Sequence, residues 1–315
     1  MLSQALEQGR LHHAYVFLGP DGVGKKTIAL ALAKAVHCGE AARDYCGGCA
    51  NCVKIDGGNH PDVRLIAPLP GKKEISIEQV RTLEKELNYR AFSGKKKIGI
   101  IDPASLMNLS AQNALLKTLE EPPADSLLIL VSASAGGLLP TLLSRCLRLS
   151  FAPLPASDVI RYLIERKSLS PDQAKLLASV SLGSLGRALS ASMTELAGQR
   201  AAWIDEMTAM RQNAGWAALA EDLAKDRVEA IQFLEWLAEW YRDAAIYLVM
   251  GDAEWIGNRD LLDKLRAQAE GITVDDALRL RAAALETAAR IRRNVNRRMA
   301  LENIFADIAG LAARD

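Results

Sequence analysis

The chain has 315 residues, 50% of them hydrophobic, 5% aromatic and 24% charged, with 39 Lys and Arg against 38 Asp and Glu for a net charge of +1. That length exceeds the roughly 100–200 residues usual for one domain, and the composition excludes a disordered, collagenous or small disulfide-stapled chain. Near-neutrality argues against nucleic acid or an anionic membrane as a sole partner, so any charged surface must be local.

The opening segment MLSQALEQGRLHHAYVF lacks a basic stretch followed by an apolar core. No run of about 18 or more apolar residues occurs anywhere, so a cytoplasmic location is expected. The first β-type run is AYVFL, Ala14 to Leu18. It is apolar on both faces, as are VRLIA (Val63 to Ala67), KIGIID (Lys97 to Asp102) and LLILVS (Leu127 to Ser132). Such runs suit a parallel sheet covered by helices, an α/β architecture.

Directly after Leu18 comes GPDGVGKKT, which fits GxxxxGK with Gly19, Gly24 and Lys25 and then opens a helix over Gly24 to Val36. Glycines let the backbone wrap a phosphate while N–H groups and the helix N-terminus point at it, and the lysine reaches the β- and γ-oxygens. The motif expects Ser or Thr after the lysine to hold magnesium. Here Lys26 stands in that place and Thr27 comes one residue late, about 100° round the helix. Two readings stand: a nucleotide-binding loop, or a vestigial one kept as a structural turn.

Four of the five cysteines, Cys38, Cys46, Cys49 and Cys52, follow with the spacing C-x7-C-x2-C-x2-C. The two-residue gaps let thiolates converge at about 2.3 Å on one tetrahedral zinc, and a full thiolate cage leaves no open position, so that zinc would be structural. The competing reading is free or redox-active thiols.

Ser76 to Tyr89 reads as a helix capped by Ser76, with Ile77, Val80, Leu83, Glu84 and Leu87 at helical spacing. The run Lys97 to Asp102 ends in an acid placed where a phosphate-loop protein positions magnesium through water. A hydrolytic enzyme usually has Glu next, to activate the attacking water; Pro103 stands there and has no proton-accepting side chain. Together with Lys26 this points to a chain that does not hydrolyse ATP by itself, although Asp102 alone also suits a turn cap. A third helix is expected to be capped by Ser110, to carry Ala111, Ala114, Leu115 and Leu119 on one face, and to stop at Pro122 and Pro123.

Arg145 lies in Ser144 to Cys146, read as following the fourth strand at the domain edge. An arginine so offered reaches a phosphate held by a neighbouring chain, a contribution of about 10³–10⁵ in phosphoryl-transfer rate, though spacing alone also fits an ordinary surface arginine. After FAPLP (Phe151 to Pro155) strand signals vanish and the remainder reads as all-helical, broken near Gly183, Gly186, Gly251 and Gly271. GSLGRALS puts Arg187 near a helix start; Arg290, Arg292, Arg293, Arg297 and Arg298 form a basic cluster better read as a solvated or salt-bridged face than as a DNA contact. Trp236 and Trp240, one turn apart, signal packing rather than base stacking.

HHAYVFLGPDGVGK, the four cysteines, HPDV (His60 to Val63), NALLKTLEEPP (Asn113 to Pro123), LPTLLSRC (Leu139 to Cys146), GSLGRALS and NVNRRMALE (Asn294 to Glu302) together span nearly the whole chain. In them the sequence resembles the AAA+ clamp-loader subunits of bacterial DNA polymerase III. The resemblance implies an AAA+ α/β domain over residues 1–152 with a zinc module at about 38–52, a helical lid over 153–197 and a helical collar over 198–315. It also implies a hetero-pentamer with gamma or tau and delta subunits that loads a sliding clamp onto primed DNA.

By the same resemblance Arg145 is the finger placed at the ATP of an adjacent gamma or tau motor, Arg187 is the lid arginine called sensor 2, and Ser132 to Ser134 lie where sensor 1 would be. A weak nucleotide site for ATP or ADP would comprise Gly19, Gly22, Gly24, Lys25, Thr27, Asp102 and Arg187. The departures at Lys26 and Pro103 favour a stator over a motor. The competing functions are an ATP-hydrolysing gamma- or tau-type motor using Thr27 and another carboxylate, and a zinc-dependent nucleic-acid-binding protein, against which the neutral charge weighs.

Overall fold

Neighbouring residues of each apolar β-run must bury side chains on opposite sides, so the runs can only assemble into a sheet covered on both faces. A computed structural model describes residues 2–312 apart from 42–43, 93–94, 182, 191–192, 212–215, 252–254, 259–260 and 293–294. Two compact units divide it, Met1–Pro153 and Leu154–Asp315.

In the first unit the chain runs α1 (Leu2–Glu7), β1 (Ala14–Leu18), α2 (Lys25–His37), α3 (Ala50–Asp56), β2 (Val63–Ile66), α4 (Ile77–Leu87), β3 (Lys97–Ile101), α5 (Leu109–Glu120), β4 (Ser126–Ser132), α6 (Pro140–Leu143) and β5 (Leu147–Ser150). The five strands form one sheet of order β2-β3-β4-β1-β5, every pairing parallel. Ala14, Val16, Leu128 and Leu130 pack on one side with Val80, Leu83, Ala111 and Leu115 of α4 and α5. Tyr15, Phe17, Leu127, Ile129 and Val131 pack on the other with Ala29, Leu32 and Ala33 of α2 and Ile55 of α3. Each large side chain so buried contributes about 1.5–3 kcal/mol, which holds the C-terminal strand ends in fixed register.

Three local features differ from the sequence expectation. The expected cap Ser110 lies inside α5, and Asn108 caps it instead, its Oδ1 accepting from Ala111 N at 2.9 Å. Between β4 and Arg145 the chain inserts a 3₁₀ turn, Ala135–Gly137, and α6, so the arginine does not follow the fourth strand directly. β5 was not expected; as an edge strand with exposed Leu147, Arg148 and Ser150 it lacks the doubly apolar pattern of its neighbours. Elsewhere the signals hold: Ser76 and Gln79 form a reciprocal capping box at the start of α4, the Ser76 N–H donating to Gln79 Oε1 at 3.2 Å.

The second unit is helical throughout its described residues: α7 (Ala156–Lys167), α8 (Pro171–Ser181), α9 (Leu185–Ser190), α10 (Met193–Arg211), α11 (Trp216–Lys225), α12 (Arg227–Met250), α13 (Leu262–Ala269), α14 (Val274–Arg292) and α15 (Arg297–Ala312). Val159, Leu163, Ala174, Leu177 and Ala188 make a small core for α7 to α9. A larger core gathers α10 to α15 around the long α12, whose Phe233, Leu237 and Trp240 are fully buried. The rings of Trp203, Trp236 and Phe233 pack against one another edge-on or tilted, and Trp240 Nε1 donates to Gln268 Oε1 at 2.9 Å. These tryptophans are core, whereas Trp255 is exposed.

Candidate functional site

Gly19 leaves β1 with φ 153°, and a β-carbon there would lie 2.2 Å from the Phe151 carbonyl oxygen. Only glycine lets the chain pass so close to the segment after β5. The loop then enters α2 through Gly24, left-handed at φ 97°. The first backbone bond of the helix is Ile28 N–H to Gly24 O at 2.9 Å. The N–H groups of the first turn, at Lys25, Lys26 and Thr27, therefore precede the helix's own ladder, as in any phosphate-binding helix start.

Lys25 is almost wholly buried. Its Nζ donates to the Gly19 and Pro20 carbonyls at 2.5 and 2.6 Å and sits 3.6 Å from Asp21 Oδ1. Burial pushes its ammonium below the ordinary lysine range, opposed by the charges of Asp21 and Asp102.

The parallel register brings the ends of β1, β3 and β4 beside this loop. Leu18 pairs with Ser132, and Gly19 N–H donates to the Ser132 carbonyl at 3.3 Å. Ser132 Oγ in turn donates to Ser134 O at 2.8 Å. Asp102, one residue past β3, has its backbone tied to Ile66 O and its carboxylate facing Lys26, Oδ2 to Nζ 3.9 Å. Burial raises the Asp102 carboxyl, and Lys26 and then Lys25 pull it back.

Magnesium takes oxygen ligands at about 2.0–2.1 Å. The side chain at position 26 offers an ammonium with no lone pair, and Thr27 belongs to the next direction round α2 and is exposed. Neither position 26 nor the exposed Thr27 supplies the helix-start oxygen that a magnesium ion takes in a motor site, and the Asp102 carboxylate faces an ammonium instead.

Arg145 stands in the turn between α6 and β5, about one-third exposed. Its Nη1 donates to Thr141 O at 2.8 Å and its Nη2 to Glu120 Oε1 at 2.5 Å, at the last residue of α5. Glu120 was not singled out from the sequence, because nothing local marks a glutamate at a helix end as a partner for a residue 25 positions on. Arg187 lies in the second unit, where Glu235 of α12 accepts from it at 2.5 Å and also from Arg292. Arg292 and Arg298, which pairs with Glu302 at 2.8 Å and with Glu221, thus belong to ion pairs, while Arg293 lies outside the described residues.

α2 ends at His37, so Cys38 begins the cysteine segment at once. The Sγ atoms of Cys38, Cys46, Cys49 and Cys52 all lie within 4.8 Å of one another, and none forms a disulfide. Four sulfurs about 2.3 Å from one tetrahedral ion stand about 3.8 Å apart, so the arrangement is compact enough to hold a metal ion. Cys46 N–H approaches Cys38 Sγ at 3.5 Å and Cys49 N–H approaches Cys46 Sγ at 3.2 Å. The first of these contacts leads the lowering of the Cys38 thiol to about 6, while burial pushes Cys52 up to about 12.

Beneath the cysteines lie His37, His60 and Asp62, all buried, with the two rings 4.5 Å apart. Asp62 takes the Lys97 ammonium at 2.9 Å and the Phe92 N–H at 2.8 Å, and Lys95 Nζ donates to Cys38 O at 3.0 Å. This network ties the cysteine segment to β2 and β3. Cys146, the fifth cysteine, is buried apart, its thiol pushed up to about 12 by burial.

A central parallel strand that ends in a glycine-rich loop and a helix start, with acid and hydroxyl side chains on the neighbouring strand ends, defines a P-loop α/β protein with a helical second unit. The family model for the DNA polymerase III delta subunit matches residues 1–155, and that for its C-terminal part matches residues 194–309. DNA polymerase III subunit delta' of Bacillus subtilis is 33% identical over 310 residues, covering 96% of this chain and 93% of that protein. The Pseudomonas aeruginosa subunit of the same name is 32% identical, covering 95% and 92%. The tau subunit of Escherichia coli is 34% identical, but over 60% of this chain and 30% of its own length.

The chain belongs to the DNA polymerase III delta' subunit family, and the role expected from the resemblance, a clamp-loader subunit in DNA replication, stands with it. Among the described residues no helix is long and apolar enough to cross a membrane.

Proposed function

We propose that this chain is a clamp-loader stator of AAA+ type, one that does not turn over ATP itself and lends Arg145 to the ATP of a neighbouring motor subunit. The observation that carries the reading is a pair of losses, one at the start of α2 and one just past β3: Lys26 and Pro103 stand where a motor has its magnesium hydroxyl and its water-activating carboxylate. Arg145 nevertheless stands in a short turn at the sheet's edge, backed by α5 and α6. Its planar fork suits the equatorial oxygens of a transferring phosphoryl group.

In this reading the gamma or tau and delta subunits complete a hetero-pentamer that handles a sliding clamp and primed DNA. Residues 153–197 act as a lid, with Arg187 its sensor, and residues 198–315 as a collar. Cys38, Cys46, Cys49 and Cys52 hold one structural zinc, which supplies cross-linking of the segment between α2 and α3 and no open coordination site. Gly19, Gly22, Gly24, Lys25 and Thr27 cradle ATP or ADP, with Asp102 at the strand end.

The decisive experiment is the DNA-stimulated ATPase of the reconstituted loader carrying Arg145→Ala in this chain alone. A fall of at least about tenfold is expected. An unchanged rate would remove the trans role.

A further inference from the structure

We infer that the loop after β1 holds its nucleotide without a divalent cation, the Lys26 ammonium supplying the positive charge opposite Asp102 that magnesium supplies in a motor subunit. This rests on the reading of Gly19 to Thr27 as a nucleotide-binding loop and adds the form of the ligand: a metal-free nucleoside di- or triphosphate.

Three observations converge. First, position 26 directly follows the phosphate lysine, and from it Nζ reaches to 3.9 Å from Asp102 Oδ2, so the contact between helix start and strand-end acid is made by an ammonium. Second, the two cations are differently placed: Lys25 is buried against the loop carbonyls, whereas the Lys26 side chain is half exposed and free to follow an incoming phosphate. Third, the first-turn N–H groups of α2, a 13-residue helix, add the positive end of its dipole to both.

A polyphosphate entering this loop meets two ammonium groups and a helix start, with Asp102 and Asp21 the acids beside them. A magnesium ion arriving with it would meet a like charge at position 26 and no oxygen from that residue. Electrostatics therefore favours the bare anion. A nucleotide bound in this way lacks the Lewis acid that neutralises charge on the β- and γ-oxygens, and Pro103 offers no base, so it remains intact as a resident ligand.

The test is equilibrium binding of a fluorescent ADP and a fluorescent ATP to the full chain, once in excess chelator and once in millimolar magnesium. Wild-type affinity is expected to be equal or tighter in chelator than in magnesium. Lys26→Ser, which restores an oxygen ligand and removes the charge, is expected to bind at least about tenfold more tightly with magnesium than with chelator. A wild-type affinity that drops about tenfold or more on chelation overturns the metal-free inference while leaving the loop a nucleotide site. Absence of binding in both conditions overturns the nucleotide reading itself, and this inference with it.

Discussion

Arg145 Nη2 lies 2.5 Å from Glu120 Oε1, joining the turn before β5 to the last residue of α5. The same guanidinium donates to Thr141 O through Nη1. A two-pronged group is therefore held by two elements at once, in a direction that neither α5 nor α6 sets alone. Both partners are substantially solvent-exposed, and exposed ion pairs contribute only about 0–1 kcal/mol. Glu120→Gln should accordingly leave the melting temperature of the chain within a few degrees of wild type. Arg145→Lys, which keeps the charge but cannot span both acceptors, should lose most of the stimulated ATPase of the assembly, the outcome also expected for Arg145→Ala. A lysine variant with full rate would show that charge alone suffices.

Gly19 and Gly24 offer a graded pair. A β-carbon on Gly19 meets the backbone of Phe151 at 2.2 Å, while one on Gly24 meets nothing within 4 Å and is opposed only by its positive φ. Gly19→Ala should destabilise the chain by about 2–3 kcal/mol or more, because the β1 end must move away from the segment after β5. Gly24→Ala should cost only about 1–2 kcal/mol. Denaturant titration of the two variants checks the order; equal losses would mean that the approach to Phe151 is easily relieved.

The thiols should report the metal in steps. If the four cysteines hold one zinc as proposed, Cys38, Cys46, Cys49 and Cys52 should be unreactive as ligands, and Cys146 should be unreactive because burial holds its thiol near 12. Chelation should release one equivalent of zinc and expose four thiols to titration, and denaturation should expose the fifth. Far-UV circular dichroism should change little on chelation, since the sheet core does not include the cysteine loop. Five thiols reacting at once in the native protein would contradict both the cage and the buried position of Cys146.

His37 gives a pH dependence with a definite sign. Burial, and then the neighbouring His60, pushes it down to about 4 from the ordinary 6.5. Between those values the unfolded chain binds a proton that the folded chain does not, so stability is complete above about pH 6.5 and is lost as the pH falls toward 4. His60 is lowered as well, by burial first, and acts in the same direction. The contribution of His37 over that window is on the order of 2–3 kcal/mol. Urea unfolding at pH 7 and pH 5 should show the loss, and His37→Gln should flatten it; an unchanged slope in that variant would place the titration elsewhere.

Much of the first unit was legible because its signals are local. Of the four expected strands β1, β3 and β4 are apolar and buried on both sides, while β2, an edge strand with exposed Arg64 and Leu65, was found from its apolar Val63, Leu65 and Ile66 alone. Ser76 caps α4 through Gln79 three positions on. The cysteine spacing brings four sulfurs together across 15 residues of chain. Where the pattern weakened, reading failed: β5 carries the exposed Arg148 on an edge, and Asn108 rather than Ser110 caps α5, accepting the Ala111 N–H of its first turn. Both residues are good caps, and only the path of the preceding 3₁₀ turn, Ala104–Leu106, decides which one sits at the boundary.

By itself the sequence determined the elements, the glycine loop, the cysteine cluster and the two departures at Lys26 and Pro103, because each is written in residues a few positions apart. Tertiary structure alone decided that Lys26 faces Asp102, that Arg145 leans on Glu120, that His37 lies against His60, and that Arg187 and Arg292 share Glu235. Those pairs are separated by tens of residues. Strand order and register bring the first three together and the packing of the helical unit the fourth, and no local periodicity encodes which side chains will meet there.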